Sequence, residues 1–267
     1  MNSAQPVADE YRSLGPLQTR ILTHQRHSER PNDPDLDVLR ALRLSPAEGL
    51  LDVGSGTGEF LRRLRAEGHT GRLCAIDASQ AAVDAAGAVQ GVEALRGDAQ
   101  ALPYPDASFD AVTARHMLYH VPDPVLAIEQ ARRVLRAGGR FAAVVNIRCP
   151  TPLINASVDA VLDAHGIEHH RPADSTVHAG NLPGMVESVF GACEVVTVEN
   201  ALVFHEPEPV LRYCLSMLTL AGTPQDGPVR EAIEADLAVE VRERFTAAGG
   251  VWRDPKGYVV CTAPPAL

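Results

Sequence analysis

No apolar run in the sequence approaches the roughly 18 residues that a membrane-crossing helix needs. A basic patch is also missing. The 267 residues include 34 acidic side chains against 24 Lys and Arg, a formal net charge of −10. The densest cationic stretch, residues 20–30, is broken by His24, His27 and Glu29. Proteins that grip a nucleic-acid backbone cluster their positive charge, so neither nucleic acid nor membrane is the expected partner. The opening MNSAQPVADEYRS has neither the basic start nor the apolar stretch of a secretory signal, and a cytoplasmic location is expected. The five cysteines, Cys74, Cys149, Cys193, Cys214 and Cys261, show no metal or redox spacing. Buried reduced thiols account for them; Cys149, just after an expected strand, has no evident basic partner to take its proton and make it a nucleophile. Internal repeats and low-complexity linkers are absent. The remaining composition, 45% hydrophobic and 22% charged, is that of an ordinary globular protein with room for one α/β domain and a modest second lobe.

Within residues 50–146, short apolar runs alternate with helical patterns. Strands are expected at 49–53, 73–77, 92–96, 109–114 and 141–145. Helices are expected at 59–67, with Phe60, Leu61 and Leu64 on one face, at 79–89 behind a Ser79 cap, and at 124–136, with Gly138 and Gly139 ending it. Strands separated by such helices make βαβ units and a parallel sheet. Residues 1–46 read as polar and helical, with Asp33-Pro34 as a helix start. Residues 148–181 are rich in Pro, His and Asp. A helix at 182–189, a strand near 194–204, helices at 206–221 and 228–248, and a strand at 257–262 follow. In the helix at 228–248, Val229, Ile233, Leu237, Val241 and Phe245 form one apolar stripe. The expected organisation is a helical cap (1–46), a core (47–147), and a substrate lid with the closing strands (148–267).

The chemistry centres on Leu51-Asp52-Val53-Gly54-Ser55-Gly56-Thr57-Gly58-Glu59-Phe60, a strand, a glycine turn and a helix start. Glycine admits positive φ and close ligand approach, and the helix N-terminus offers unpaired N–H groups. A dinucleotide fingerprint would read G-x-G-x-x-G. This loop reads G-x-G-x-G, and Glu59 stands where that fingerprint wants a small residue and would repel a pyrophosphate. A ligand without pyrophosphate fits better. Asp77 ends the second strand about 20 residues on, where an acid meets ribose hydroxyls in such folds. Asp98 follows the third strand and can accept an adenine amine. Either acid alone could be a turn or cap residue; the two together, downstream of this loop, favour a nucleoside ligand.

Residues 51–139 resemble the class I S-adenosylmethionine (SAM)-dependent methyltransferases of the ubiquinone/menaquinone-type small-molecule branch. The matching segments are LDVGSGTGEF, AIDAS, RGDAQALPYPDASFDAV, HMLYHVPDP and ARRVLRAGG, about a third of the chain. The resemblance implies a Rossmann-like α/β fold, with a seven-stranded, mostly parallel sheet, a reversed last strand and helical lid insertions. It places Gly54, Ser55 and Gly56 at the methionine end of SAM, Asp77 at the ribose, Asp98 and Ala99 at the adenine, and Arg115 beside the sulfonium-carrying chain. Asp52 and Ala78, within the same motifs, join that set, and Tyr11 closes over the cofactor as an N-terminal aromatic does in some relatives. S-adenosylhomocysteine is the implied product and a small-molecule O, N or C acceptor the implied partner. A homodimer stays open.

Methyl transfer is an in-line displacement, and a base helps where the acceptor must lose a proton. His120 falls where relatives carry a histidine proposed as base, and a structural role is an equal reading. His116 is the second candidate, and Tyr119 could orient the acceptor. His165, His169, His170 and His178 invite a metal reading, but Gly166 interrupts the first pair and no glutamate follows His165; no metal is expected. No Asn-Pro-Pro-aromatic motif follows strand four, which counts against base modification. Two readings with the same cofactor pocket compete with methyl transfer: a sulfonium-driven or pocket-guided cyclisation, and a non-catalytic SAM-binding subunit. A specialised metabolite is the acceptor type the leading reading favours.

Overall fold

A computed structural model describes residues 15–169 and 176–263. The chain divides into two compact units. One comprises Asp33–Ile147, Thr176–Val198 and Tyr258–Leu267; the other comprises Met1–Asn32, Arg148–Ser175 and Glu199–Gly257.

The first unit holds α2 (Pro34–Leu42), β1 (Leu50–Val53), α3 (Glu59–Ala66), β2 (Leu73–Asp77), α4 (Gln80–Gly87), β3 (Val92–Arg96), β4 (Phe109–Arg115), a 3-10 turn (Leu118–His120), α5 (Pro124–Val134), β5 (Leu135–Asn146) and α7 (Leu182–Phe190). The sheet order is β3-β2-β1-β4-β5-β7-β6, where β6 is Glu194–Phe204 and β7 is Trp252–Ala263. β1 to β5 pair in parallel, and residues 258–263 of β7 run antiparallel to β5. The expected α/β architecture with a reversed last strand is present. Its central strands are apolar on both faces because helices cover both: Leu51, Ile76 and Val112 pack with α5 and α7, while Leu50, Leu73 and Ala111 pack with α2 and α3. Each fully buried Leu or Ile of this kind contributes roughly 1.5–3 kcal/mol.

The helix starts follow their expected caps. Asp33 accepts from Leu36 N at 3.0 Å, Ser79 from Ala82 N, and Asp123 from Leu126 N at 3.0 Å. Several boundaries differ: the closing strand expected at 257–262 covers Trp252–Ala263, and the helix expected at 206–221 covers Pro207–Met217. The helix expected to run to 136 ends at Val134, because Leu135 adopts an extended conformation and opens β5. Gly138 and Gly139 do not stop the helix. They lie inside β5 where its register against β4 shifts, with Gly138 at φ +77°.

The second unit contains α1 (Gly15–His27), α6 (Pro152–Ala164), α8 (Pro207–Met217), α9 (Pro228–Ala247), and residues 199–204 and 252–257 of the two long strands. Its core joins Ile154, Val158 and Leu162 of α6, Val210 and Cys214 of α8, and Ile233, Leu237 and Val241 of α9 around Trp252. The α9 stripe holds from Ile233 to Phe245, whereas Val229, in the first turn of the helix, is 46% exposed. Helix α6 lies within the segment read as a polar lid. Its N-terminus is capped from a distance by Asp254, whose fully buried carboxylate accepts from Leu153 N (3.0 Å), Ile154 N (2.8 Å) and Trp252 Nε1 (3.3 Å). Burial raises the Asp254 pKa against these three bonds, which lower it.

Candidate active site at the β1–β4 crevice

The strand order reverses between β1 and β4: β2 and β3 lie on one side, β5 on the other. In open α/β sheets, ligands bind outside the carboxyl ends of the strands at such a switch point. Val53 at the end of β1 pairs with Ala114 near the end of β4, so the glycine loop and the segment from Arg115 to His120 leave the sheet side by side.

Each glycine of the loop has its own reason. A Cβ on Gly54 (φ +70°) would sit 2.6 Å from the Met117 side chain, and one on Gly58 (φ +72°) 2.7 Å from the Ala86 backbone. Both are packing glycines, and Gly58 is also the residue that enters α3. Gly56 (φ +54°) differs, for nothing lies within 4 Å of where its Cβ would be. Its positive φ is kept beside open space, the arrangement a closely approaching ligand needs. Ser55 is 4% exposed, and its hydroxyl has no hydrogen-bond partner.

Asp77 lies at the end of β2. Its Oδ2 accepts from Gly56 N at 3.0 Å and its Oδ1 from Ser79 N at 2.9 Å. It thereby ties the second strand to the loop while each oxygen retains acceptor capacity. Burial raises its pKa, the two backbone bonds oppose that, and the Asp52 charge adds to it. Ala78 is exposed beside it, and its carbonyl accepts from Arg96 Nε at 3.0 Å. At the end of β3, exposed Asp98 accepts from Gln100 N at 2.8 Å and from its side-chain amide; Ala99 is buried.

Asp52 and Arg115 face inward. Asp52 is fully buried, accepts from Thr113 Oγ1 at 2.8 Å, and takes two bonds from Arg115, Nη2 at 2.8 Å and Nε at 3.2 Å. Arg115 Nη1 reaches Asp35 of α2 at 2.7 Å, and its guanidinium lies 4.1 Å from the centre of the Phe60 ring. Burial opposes that charge, but Asp52 and Asp35 outweigh it and raise the Arg115 pKa. The geometry makes this pair the clamp that joins β1, β4 and α2 beneath the loop.

His116 follows Arg115 at φ +50°, a left-handed conformation that costs a non-glycine residue about 1–2 kcal/mol. Its N–H donates to Val144 O of β5 at 2.8 Å, while its ring Nδ1 is buried without a partner. Burial and then the Arg115 charge push its pKa down to about 4, with Asp35 opposing. An orphaned buried polar atom costs roughly 1–3 kcal/mol, so strain and an unmade bond coincide here. Neither signal is legible in sequence. His120 is exposed, with its ring 4.5 Å from that of Tyr119, which packs on the core. Tyr11 and His170 lie outside the described residues. Of the other histidines, His165 Nε2 lies 2.8 Å from Asp236, His169 Nε2 3.0 Å from Asp159, and His178 Nδ1 accepts from Gly180 N at 3.0 Å. Among the described residues no group of three or more His, Cys, Asp or Glu could hold a metal ion. No helix among them is long and apolar enough to cross a membrane. Cys74, Cys214 and Cys261 are buried thiols; Cys149 and Cys193 are half-buried, and all five are free.

The glycine loop, both acids and the Arg115–His120 segment fall inside residues 51–143, which match the methyltransferase domain family. The chain is 39% identical over 118 residues to 27-O-demethylrifamycin SV methyltransferase of Amycolatopsis mediterranei, covering 42% of this chain and 43% of that protein. It is 37% identical over 127 residues to 2-phytyl-1,4-naphtoquinone methyltransferase of Synechococcus elongatus, covering 44% and 54%. The chain thus spans about half the length of these curated relatives. The solved structure of the (4+2)-cyclase SpnF superposes over 100% of this chain and 98% of its own, with a TM-score of 0.61 at 21% identity, a likeness of fold. The methyltransferase domain lies within the first unit, from β1 into β5.

Proposed function

We propose that the protein is a SAM-dependent methyltransferase acting on a small-molecule acceptor, and that the β1–β4 crevice holds the cofactor. The single observation that carries this reading is the conjunction at the loop, inside a matched methyltransferase domain. Gly56 keeps a positive φ against open space, the Ser55 hydroxyl is buried without a partner, and the Asp77 carboxylate stands at the next strand end. These residues fit a nucleoside with an amino-acid tail: donors and close backbone approach for the tail, a carboxylate for the ribose, and Asp98 with Ala99 at the next strand for the base. Bound SAM supplies an electrophilic methyl group. The protein's part is to hold the sulfonium carbon at about 3 Å from the acceptor atom and in line with it.

His120 is the group we assign to take the acceptor proton. It is exposed on the 3-10 turn beyond β4, with its ring supported by Tyr119. His116 is a poor base at neutral pH because burial and the Arg115 charge hold it far below the usual imidazole range. The residues outside 51–143 differ from the matched block in composition and carry the choice of acceptor in this reading. A cytoplasmic biosynthetic role belongs to the same reading, and the net charge of −10 supports a small-molecule partner over nucleic acid.

Calorimetry on Asp77→Ala tests the cofactor half. Loss of charge-assisted ribose bonds, about 1.5–3 kcal/mol each, should weaken SAM binding at least about tenfold. Unchanged affinity refutes the assignment. Release of S-adenosylhomocysteine in step with a methylated product separates methyl transfer from a cyclisation or a silent binding subunit.

A further inference from the structure

Two buried polar atoms of the matched region lack partners, one just beyond the end of β1 and one just beyond the end of β4. Ser55 Oγ and His116 Nδ1 are both orphaned. Val53 pairs with Ala114, and two residues further along each chain stand Ser55 and His116, one on each side of the β1–β4 crevice. A folded protein rarely leaves such atoms unmade without a reason in its function. The backbone adds a second sign, since His116 alone in this segment adopts positive φ, and strain of this kind clusters at ligand clamps. It is held from both flanks. Arg115 is locked into Asp52 and Asp35, and Met117 lies where Gly54 must lack a Cβ. The His116 N–H is tied to Val144 of β5. These contacts hold the His116 backbone in its left-handed turn.

We infer that His116 is a ligand-binding residue and not a base: its Nδ1 makes a hydrogen bond to the amino-acid end of the bound cofactor, with the Ser55 hydroxyl reaching the same end from across the crevice. This rests on the SAM reading above and deepens it, because the methionine tail is the part of the cofactor that the Gly54–Gly56 loop faces in that reading. A ring that stays unprotonated at neutral pH suits the role. It offers a fixed neutral hydrogen bond to a zwitterion without adding charge beside the Arg115 guanidinium.

The test uses the whole chain, two probes and two variants. S-adenosylhomocysteine carries the amino-acid tail; 5′-methylthioadenosine has the same nucleoside and sulfur without it. His116→Gly removes the ring and suits the left-handed backbone, and should lower S-adenosylhomocysteine affinity by about tenfold or more, the effect of one such bond. Its affinity for 5′-methylthioadenosine and its melting temperature should not fall. His116→Asn tolerates positive φ and places an amide where Nδ1 lies, so it should retain affinity for S-adenosylhomocysteine within about threefold of the wild type. Equal affinity of the wild type and His116→Gly for S-adenosylhomocysteine would overturn the inference, as a base or bystander would give that result. Parallel loss of both probes, or failure of His116→Asn to rescue, would overturn it in favour of a structural role. If the wild type binds neither probe, the cofactor reading itself fails, and this inference with it.

Discussion

Lys256 offers a sharp test of the energetics of the second unit. The side chain is 6% exposed, and its ammonium has neutral company: Ser28 Oγ at 2.5 Å, Asn32 Oδ1 at 3.2 Å and His24 Nδ1 at 3.2 Å. No carboxylate among the described residues pairs with it. Burial pushes its pKa from 10.5 down to about 8. At about 1.4 kcal/mol per pH unit, that fall corresponds to roughly 3 kcal/mol of stability forgone while the amine is charged. Below pH 8 the amine is protonated in both the folded and the unfolded chain, so the burial cost is felt in full. Between pH 8 and 10.5 the unfolded chain keeps the proton that the folded one has shed, so stability from this group rises with pH. Other groups oppose the trend: burial raises the Cys74 thiol to about 11 and the Tyr213 hydroxyl to about 12, and stability from those falls as pH rises. The comparison with Lys256→Met isolates the lysine. The three lost hydrogen bonds shift the variant's curve by a near-constant amount, about 1 kcal/mol each, and leave its slope free of the lysine. Urea unfolding at intervals from pH 7.5 to 10 should show wild type gaining roughly 2.5 kcal/mol on Lys256→Met across the range. A gap that stays constant to within about 0.5 kcal/mol would mean that the amine titrates near its ordinary value and that its burial is not a charged one.

Three further outcomes follow from the crevice. Gly56→Ala should lose only the roughly 1–2 kcal/mol of a left-handed non-glycine residue, since its Cβ meets nothing, yet abolish measurable SAM binding in calorimetry; Gly58→Ala should lose more, roughly 2–4 kcal/mol in urea unfolding, as it carries the same strain and its Cβ would also stand 2.7 Å from Ala86. Arg115→Met should destabilise by about 3–5 kcal/mol because it leaves the fully buried Asp52 carboxylate without its cation, and Asp52→Asn in the same chain should recover part of that loss. His120→Ala should keep SAM affinity and melting temperature but lower turnover on a hydroxyl acceptor by ~10²–10⁴-fold, and normal turnover would remove His120 from the mechanism.

What the sequence makes legible here is whatever depends on neighbours along the chain. The strand–loop–helix at 50–66 is readable because apolar runs, three glycines and the first helical turn are consecutive. The caps at Asp33, Ser79 and Asp123 are readable because a cap acts two or three residues ahead. Helix α6 shows the opposite failure. Ile154, Val158, Val161 and Leu162 have the helical spacing and are all buried, but the surrounding Pro, His and Asp give the segment the look of a solvated loop. Its cap, Asp254, lies about 100 residues away in sequence and leaves no local trace. Likewise, Leu135 continues the apolar pattern of α5 and only its pairing with Phe109 makes it strand.

The site divides along the same line, and the division says which residues to trust for which role. Gly54, Gly56 and Gly58 look equivalent in the motif, and only the space around each separates the packing glycines from the one that faces open space. Asp52 and Arg115 read as cofactor residues by position, yet their polar atoms are turned on each other, Thr113 and Asp35, so their contribution passes through the shape of the loop. His116 and His120 read as alternative bases, one turn apart. Folding gives them different surroundings, a half-buried residue whose Nδ1 is buried and feels the Arg115 charge, and an exposed ring against a tyrosine. A proton acceptor at neutral pH needs the second environment, and a fixed neutral hydrogen bond needs the first. In the proposed reading the histidine pair is therefore one motif with two functions, and burial, which sequence does not display, tells the two apart.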